Sequence, residues 1–484
     1  MELPNSWSVI GLSDICKIET GKWDANHSTD NGKYRFYTCA YDFFFCDTKR
    51  FSGECLILAG NGANVGEVFF YNGEFDAYQR TYVINEISIL PKYLYYHFLW
   101  NWKRLNSDKQ YGSATNYIRI GNFTDYNVFV SPLPEQHRIV TKIEELFSEL
   151  DKGIESLKTA QQQLKIYRQS LLKHAFSGKL TEQWRADNQD KLETADALLA
   201  RIQSEREERY QELLTNWEDN GRQGTKPKAP KVMPPLTDEE LAELPELPEG
   251  WTYSYLADLG DLGRGKSKHR PRNDALLFGG DYPFIQTGEV KAANRIIRTF
   301  YKTYSEFGLQ QSKLWLKGTL CITIAANIAE TAFLGFDGCF PDSIVGFSSF
   351  RNIIFPEYVD FFMQSARTRI EAYAPATAQK NINLETLENL VVPFCSLLEQ
   401  GIILDSLETS FSITDQLEQT IITALQQSEI LRQSILKKAF SGLLVPQDPN
   451  DEPASVLLER IKAEKAALIN PTIKKTKSGK KTST

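Results

Sequence analysis

The residues Gly260 to Ser267, GDLGRGKS, match the phosphate-cradling pattern G-x-x-x-x-G-K-[ST]. Such a loop works when a strand delivers the Gly-rich turn into a helix whose first amides face the phosphates. Here the chain continues as KHRPRND, and Pro271 breaks the first turns of any such helix. No apolar strand ending in an acidic metal ligand follows, so the match is read as a decoy. A second pattern, Asp281 with Glu289-Val290-Lys291, resembles the D…E-x-K set in which carboxylates hold Mg2+ and a lysine orients water. It is short and degenerate, and is also set aside. The five histidines (His27, His97, His137, His174, His269) have no H-E-x-x-H spacing, and neither a G-x-S-x-G elbow nor an Asn-Pro-Pro-aromatic tetrapeptide occurs. The seven cysteines are scattered and never spaced C-x-x-C, which reads as reduced thiols of a cytosolic protein rather than a metal site. A single-chain nuclease or ATPase is the alternative these decoys leave.

What the Gly260 stretch does offer is charge. Arg264, Lys266, Lys268, Arg270 and Arg272 put five cations in nine residues, with His269 among them. Basic residues alternating with small ones on a Gly-rich loop suit a segment that tracks phosphates. The whole chain carries a net charge of −7, which argues mildly against a nucleic-acid binder. Phosphate contact is made by one face, however, and a local patch outweighs the total.

The elements that must position such a loop come from a repeat. RQSLLKHAFSG (Arg168 to Gly178) returns as RQSILKKAFSG (Arg432 to Gly442), 264 residues later, with nine of eleven positions identical. Leu133, Glu135, Gln136 and Asp151 recur at the same offset as Leu397, Glu399, Gln400 and Asp415, LPNSW (Leu3 to Trp7) pairs with LPEGW (Leu247 to Trp251), and Gly21-Lys22 falls on Gly265-Lys266. The chain is written A-B-A′-B′. B is a long helix: Ile143, Leu150, Leu157, Leu164 and Leu171 fall seven apart, with Leu146, Ala160 and Tyr167 in a companion column. So narrow a stripe is a coiled-coil seam. In B′ the seam is assigned to Leu417, Ile421, Ala424, Leu431 and Ile435. Ser-Gly ends each helix, and Ile139 to Phe176 gives a rod of roughly 57 Å at about 1.5 Å per residue.

A and A′ hold most aromatics and short β-rich runs, each followed by a helix-like stretch, as in compact α+β domains. The expected fold is therefore α+β: two globular domains joined by two long helices that pair as an antiparallel coiled coil, related by a pseudo-two-fold repeat. The expected boundaries are 1–134 and 247–395 for the domains, 135–217 and 396–469 for the helical spacers, 218–246 for a Pro-rich linker, and 470–484 for a basic, disordered tail. No apolar run approaches the roughly 20 residues that cross a bilayer, and MELPNSWSVIGL has no secretion-signal pattern.

At this point the pattern resembles the specificity subunit of type I restriction-modification enzymes. The motifs that carry the resemblance are PLPEQHRIV (Pro132 to Val140) with RQSLLKHAFSGKLTEQWR, and SLLEQGIIL (Ser396 to Leu404) with RQSILKKAFSGLL. It covers the whole chain apart from linker and tail. The second copy departs from the proline-rich pattern with Pro-Phe-Cys-Ser-Leu-Leu-Glu-Gln before its helix. The resemblance implies a non-catalytic, cytoplasmic DNA-binding component of a host-defence restriction system. Each target-recognition domain would read one half of a bipartite double-stranded DNA target, and the helices would fix the separation at about one helical turn, roughly 34–36 Å. The helices would also dock two methyltransferase subunits and, through them, the restriction subunits. S-adenosylmethionine, ATP and Mg2+ would then belong to those partners. Expected DNA-binding residues in the second domain are Arg264, Lys266, Lys268, Arg270 and Arg272, then Gln286, Lys291, Gln379, Lys380 and Asn381. In the first they are Lys22, Asn26, Lys33 and Arg35, then Asn61, Asn64, Asn116 and Arg119. The reasons are basic loops for phosphate, and Arg, Asn and Gln for base edges.

Overall fold

The protein is described from a computed structural model that covers residues 3–111, 116–224, 226–229, 233–350, 352–372 and 381–469. Gln379, Lys380 and the basic tail lie outside the described residues. The chain divides into two compact units that interleave along the sequence: residues 1–159 with 420–484, and 160–419. Six helices of the described residues have sixteen residues or more: α1 Pro91–Asn106, α2 Leu133–Phe176, α3 Ala195–Asp219, α4 Pro356–Ala372, α5 Leu397–Ala439 and α6 Ala454–Ile469.

The first unit contains strands β1 Ser8–Gly11, β2 Lys17–Thr20, β3 Tyr34–Tyr37, β4 Phe44–Cys46, β5 Glu54–Ala59, β6 Val68–Asn72, β7 Phe75–Ala77, β8 Thr81–Asn85 and β9 Asn127–Val130. They form a four-stranded sheet in the order β2-β8-β5-β6, a three-stranded sheet β4-β3-β7 and the pair β1-β9. Central β5, ECLILA, is apolar without a break from Cys55 to Ala59 because both of its faces are covered there. Leu56 and Leu58 join the core that holds α1, while Cys55 and Ile57 face the aromatic cluster of Tyr37, Phe51 and Phe75.

The second unit contains β10 Thr252–Tyr255, β11 Gly260–Arg264, β12 Phe278–Phe284, β13 Ile296–Ile297, β14 Lys302–Tyr304, β15 Leu320–Thr323, β16 Thr331–Leu334, β17 Ile344–Ser349 and β18 Val391–Phe394. Its five-stranded sheet runs β11-β17-β15-β16-β13, beside the pairs β12-β14 and β10-β18. The same alternation recurs: Leu320 and Ile322 enter the core with α4, and Cys321 turns to the other side.

Each unit is built around the same buried polar hub. In the first, Trp7 Nε1 donates to Glu135 at 3.0 Å, while Gln136 accepts from the Leu90 amide at 3.1 Å and donates to the Ser131 carbonyl at 2.8 Å. In the second, Trp251 Nε1 donates to Glu399 at 2.9 Å, and Gln400 accepts from the Phe355 amide at 3.1 Å and donates to the Cys395 carbonyl at 2.8 Å. These bonds tie the start of each long helix to its own domain. The helix of the other copy ends at the same place. Gly178 (φ 70°) abuts Pro248, and Gly442 (φ 72°) abuts Pro4, so closely that a Cβ would come within 2.5 Å and 2.3 Å of the proline Cγ. Only glycine meets both the left-handed backbone and the close approach.

Within each unit the two long helices run antiparallel. In the first, Arg138 pairs with Asp451 and Arg432 with Asp151, so numbers rise on one segment as they fall on the other. In the second, Arg168 pairs with Asp415 and Arg185 with Glu399. Arg432 also lies over the Phe147 ring, and Arg168 over Phe411. Ile143 and Leu171 are buried, and Leu150, Leu157 and Leu164 are half-buried, in the expected column.

The second helix corrects the assigned seam. Ile421 and Ile435 are buried, but Leu417 is 47% and Leu431 50% exposed, and Tyr167 of the companion column is also half exposed. The inward column of α5 is Leu407, Thr414, Ile421, Ser428 and Ile435, the first column shifted by 264. Thr414 and Ser428 are tolerated there because their hydroxyls donate back to the Phe411 and Ala424 carbonyls at 2.9 Å and 2.8 Å. Ile435→Ala is therefore expected to cost at least ~2 kcal/mol, and Leu431→Gln no more than ~0.5 kcal/mol, in equilibrium denaturation.

Candidate nucleic-acid interface

The basic loop of the second unit leaves β11, an edge strand, and no helix follows Lys266-Ser267; the next element is a single 3-10 turn at Ala275–Leu277. The loop is pinned by its backbone. The Lys266 amide donates to the Phe340 carbonyl and the Lys268 amide to that of Gln311, both at 3.1 Å, and a Cβ at Gly265 would strike the Pro341 carbonyl. The cations then separate into two groups. Arg272 grips the Asp342 carboxylate with 2.9 Å and 3.0 Å contacts, Arg264 donates to the Asp342 carbonyl, and Arg270 donates to the carbonyls of Ser267 and His269. These three arginines shape the loop. Lys266 and Lys268 are exposed and have no ion pair among the described residues. His269 bonds Asp274 at 2.7 Å, and the Leu276 amide, then His269, hold the Asp274 carboxyl below its usual range.

Lys313, not identified from the sequence, joins this patch. Its ammonium lies 3.5 Å from the centre of the Trp315 ring, and partial burial, then the Lys266 charge, hold it below the usual lysine range. Its only sequence signal was a lysine two before a tryptophan, which is too common to select. Gln286 and Glu289 are engaged in capping the short helix Thr287–Ala292, and Lys291 donates to Asn327 at 3.3 Å. The Asp281, Glu289 and Lys291 set thus has its middle carboxylate committed to a helix start. Asn381 pairs through its backbone with Ala325 and leaves its side chain exposed.

In the first unit the candidates fall into two groups. Lys22 and Asn26 are exposed on a loop held against β3 by Trp23, which stacks on His27 at 4.0 Å and bonds Asp76; His27 in turn meets Phe36 edge-on. Lys33 is exposed beside Tyr34. Arg35 lies between two rings, 4.1 Å from the centre of Phe43 and 4.5 Å from that of Tyr71. Around it Tyr41, Phe43, Phe44 and Phe45 are exposed, an aromatic rim that no spacing in the sequence marks. Of the second group Asn116 lines a cleft of ≈ 660 Å³, with Gly62, Gly66, Trp102 and Ile118 among its other walls. Asn61 is half-buried, and Asn64 spends its amide on the Cys39 carbonyl, a structural role. Arg119 is exposed and stacks on Tyr111.

All seven cysteines are free. Among the described residues no three His, Cys, Asp or Glu side chains cluster as a metal site, and no helix is long and apolar enough to cross a membrane.

Comparison with known proteins agrees across sequence and fold. The model of a family described as the type I restriction modification DNA specificity domain matches residues 4–164 and again 248–427. The EcoDI type I restriction enzyme specificity subunit of Escherichia coli is 27% identical over 483 residues, covering 96% of this chain and 97% of that protein. The EcoKI specificity subunit of E. coli strain K12 is 25% identical, covering 74% and 68%. A chain from a structural study of complex assembly and conformational transition in the type I R-M system superposes with a TM-score of 0.63 at 16% identity, covering 92% of this chain and 100% of that one. The HsdS subunit of Thermoanaerobacter tengcongensis gives 0.51 at 16%, covering 92% and 99%.

Proposed function

The chain belongs to the type I restriction-modification DNA specificity family, and on that premise we propose that each unit reads one half of a split double-stranded DNA target. It is a specificity subunit with two target-recognition domains, a recognition component rather than an enzyme. The observation that carries the reading is the coexistence of a fixed frame and variable heads. The hub, the helix ends and one ion pair, Arg432–Asp151 in the first unit and Arg168–Asp415 in the second, recur in both copies, while the exposed side chains of the two heads differ. A device that measures a constant spacing and reads two different half-sites needs that combination.

Docking of two modification subunits is supported by a second repeat. Ile166 and Tyr167 are exposed on α2, and Ile430 and Leu431, 264 residues later, are exposed on α5. A pair of like apolar patches suits two copies of one partner. S-adenosylmethionine, ATP and Mg2+ belong to those partners and to the restriction subunits they recruit. The candidate DNA contacts are the exposed lysines Lys22, Lys33, Lys266 and Lys268 for phosphate, with Arg35, Asn116, Arg119 and Asn381 nearer the bases.

Mapping methylated adenines in the host genome with and without the gene tests the assignment; a bipartite motif should vanish on deletion, and an unchanged methylome would sink it. At finer grain, Lys266→Gln with Lys268→Gln should weaken DNA binding of the assembled complex at every sequence. The slope of log affinity against log salt should fall by about 1.8, two phosphate contacts at about 0.9 each. An unchanged slope removes those lysines from the interface.

A further inference from the structure

Both units carry one loop pair that no part of the frame requires. In the first unit the Ile118 amide donates to the Gly60 carbonyl at 3.0 Å, and Asn61 bridges Tyr117. In the second the Ile382 amide donates to the Ile324 carbonyl at 3.0 Å, and Ala325 bridges Asn381. Every one of these residues is displaced by 264. Each first loop also holds two left-handed residues, Gly62 and Gly66 in one unit and Ala326 and Ala329 in the other. Non-glycine residues seldom adopt that conformation, so the second unit keeps the loop shape at a cost. The bridging bonds are shared, the second loop is one residue shorter between its left-handed positions, and the side chains differ. Asn383, the counterpart of Arg119, caps a short helix by accepting from the Thr386 amide at 2.8 Å.

Arg119 is held differently from the arginines described above that are paired with carboxylates. Its guanidinium lies 4.3 Å from the centre of the Tyr111 ring and 5.3 Å from that of Tyr117, and Nη2 donates to the Tyr117 hydroxyl at 2.7 Å. Tyr111 and Tyr117 are locked together by reciprocal backbone bonds of 2.9 Å and 2.8 Å. The Arg119 amide is fixed by Asn122, whose side chain is itself buried and bonded to Asn106. No carboxylate pairs with Arg119 among the described residues, and it is exposed. Tyr117 occupies one of five donors, and the rest of the planar fork is free and already oriented. A fork of that kind matches the O6 and N7 acceptors of guanine in the major groove, whereas phosphate is satisfied by any mobile lysine.

We infer that Arg119, fixed on the Tyr111–Tyr117 platform, is the guanine reader of the first unit, within the specificity-subunit reading above. The test uses the full chain assembled with its modification subunits and duplexes carrying the motif mapped from the methylome. Arg119→Ala and Arg119→Lys should each lower affinity for the cognate duplex by about 5- to 100-fold. Affinity for a duplex with that one guanine replaced should hardly change, and discrimination at the other half-site should be intact. The lysine variant keeps the charge and loses the fork, so it separates base reading from phosphate contact. Retained discrimination in Arg119→Lys, or a uniform loss across sequences with a smaller salt slope, overturns the inference. So does unchanged binding in Arg119→Ala. Thermal melts matching the unsubstituted chain exclude misfolding as the cause. If the unsubstituted complex shows no sequence preference at all, it is the specificity-subunit reading that has failed, and this inference falls with it.

Discussion

Arg185→Ala is expected to destabilise the second unit by about 3–5 kcal/mol, the cost of leaving a buried charge without its counter-ion. Glu399 is 0% exposed, and its Oε1 accepts from Arg185 at 2.6 Å, from Thr181 at 2.6 Å and from Trp251 at 2.9 Å. Arg185 Nη2 also donates to the Gly178 carbonyl at 2.6 Å, so the same guanidinium seals the end of α2. Removing it strands the carboxylate and frees a helix terminus together. The first unit supplies the contrast. There Glu135 meets Trp7 and the neutral Gln447, and burial raises its carboxyl above the usual range. Because the charged form is the penalised one, Glu135→Gln should change stability by no more than ~1 kcal/mol. Hydrogen exchange read peptide by peptide distinguishes the units. Arg185→Ala should raise exchange across residues 160–419, and Arg185→Met combined with Glu399→Leu should recover most of the loss. A single substitution that costs less than ~1 kcal/mol would show that the pair is not what holds this hub.

The frame was more legible in the sequence than the site. The duplication exposed the helices, their ends at Gly178 and Gly442, and the first seam column, because coiled-coil packing writes itself as a strict period. In the second helix the same column contains Thr414 and Ser428, so the apolar letters point sideways to Leu417 and Leu431. Shifting the first column by 264 would have found it, since packing is conserved by position while polarity is not when hydroxyls can bond their own helix. Glu135 and Glu399 were visible as repeat markers. Their meaning was not, because Trp7 and Trp251 lie more than a hundred residues away and no local pattern links them. Pro271 marks the phosphate-loop match as false, yet in the sequence the five cations of that stretch are alike. Only the fold reveals that Asp342 and loop carbonyls occupy three arginines and leave Lys266 and Lys268 outward. Arg119 and Arg35 could be ranked only once the rings beneath them were located.

Acid should open the first unit before the second, through His97. This imidazole is fully buried on α1 and surrounded by Trp100, Tyr126, Phe129 and Phe440. Its Nε2 accepts from the Phe129 amide at 3.3 Å, which leaves the proton on Nδ1, facing the Tyr126 hydroxyl at 2.9 Å. A second proton on Nε2 would point at the amide it now accepts from, and burial pushes the ring down from 6.5 to about 3. Below pH 6.5 the unfolded chain takes up a proton that the folded one refuses. Stability from this group is therefore complete above that pH and is lost as pH falls toward 3. The loss reaches ~2–3 kcal/mol by pH 4.5 and on the order of 4–5 kcal/mol at the lower limit. The second unit carries its own control. Phe176 packs there on Tyr358 and Phe362 as Phe440 packs on Tyr93 and His97, so a phenylalanine stands where the histidine does. Protection against exchange, corrected for the intrinsic rate at each pH, should fall more between pH 7.5 and 4.5 in residues 1–159 than in 160–419, and His97→Phe should shrink that difference. Carboxylates titrate in both units, so the difference between the parent and His97→Phe, rather than the absolute loss, isolates the imidazole. Equal acid sensitivity of the two variants would mean that the ring is protonated in place and that solvent reaches this core.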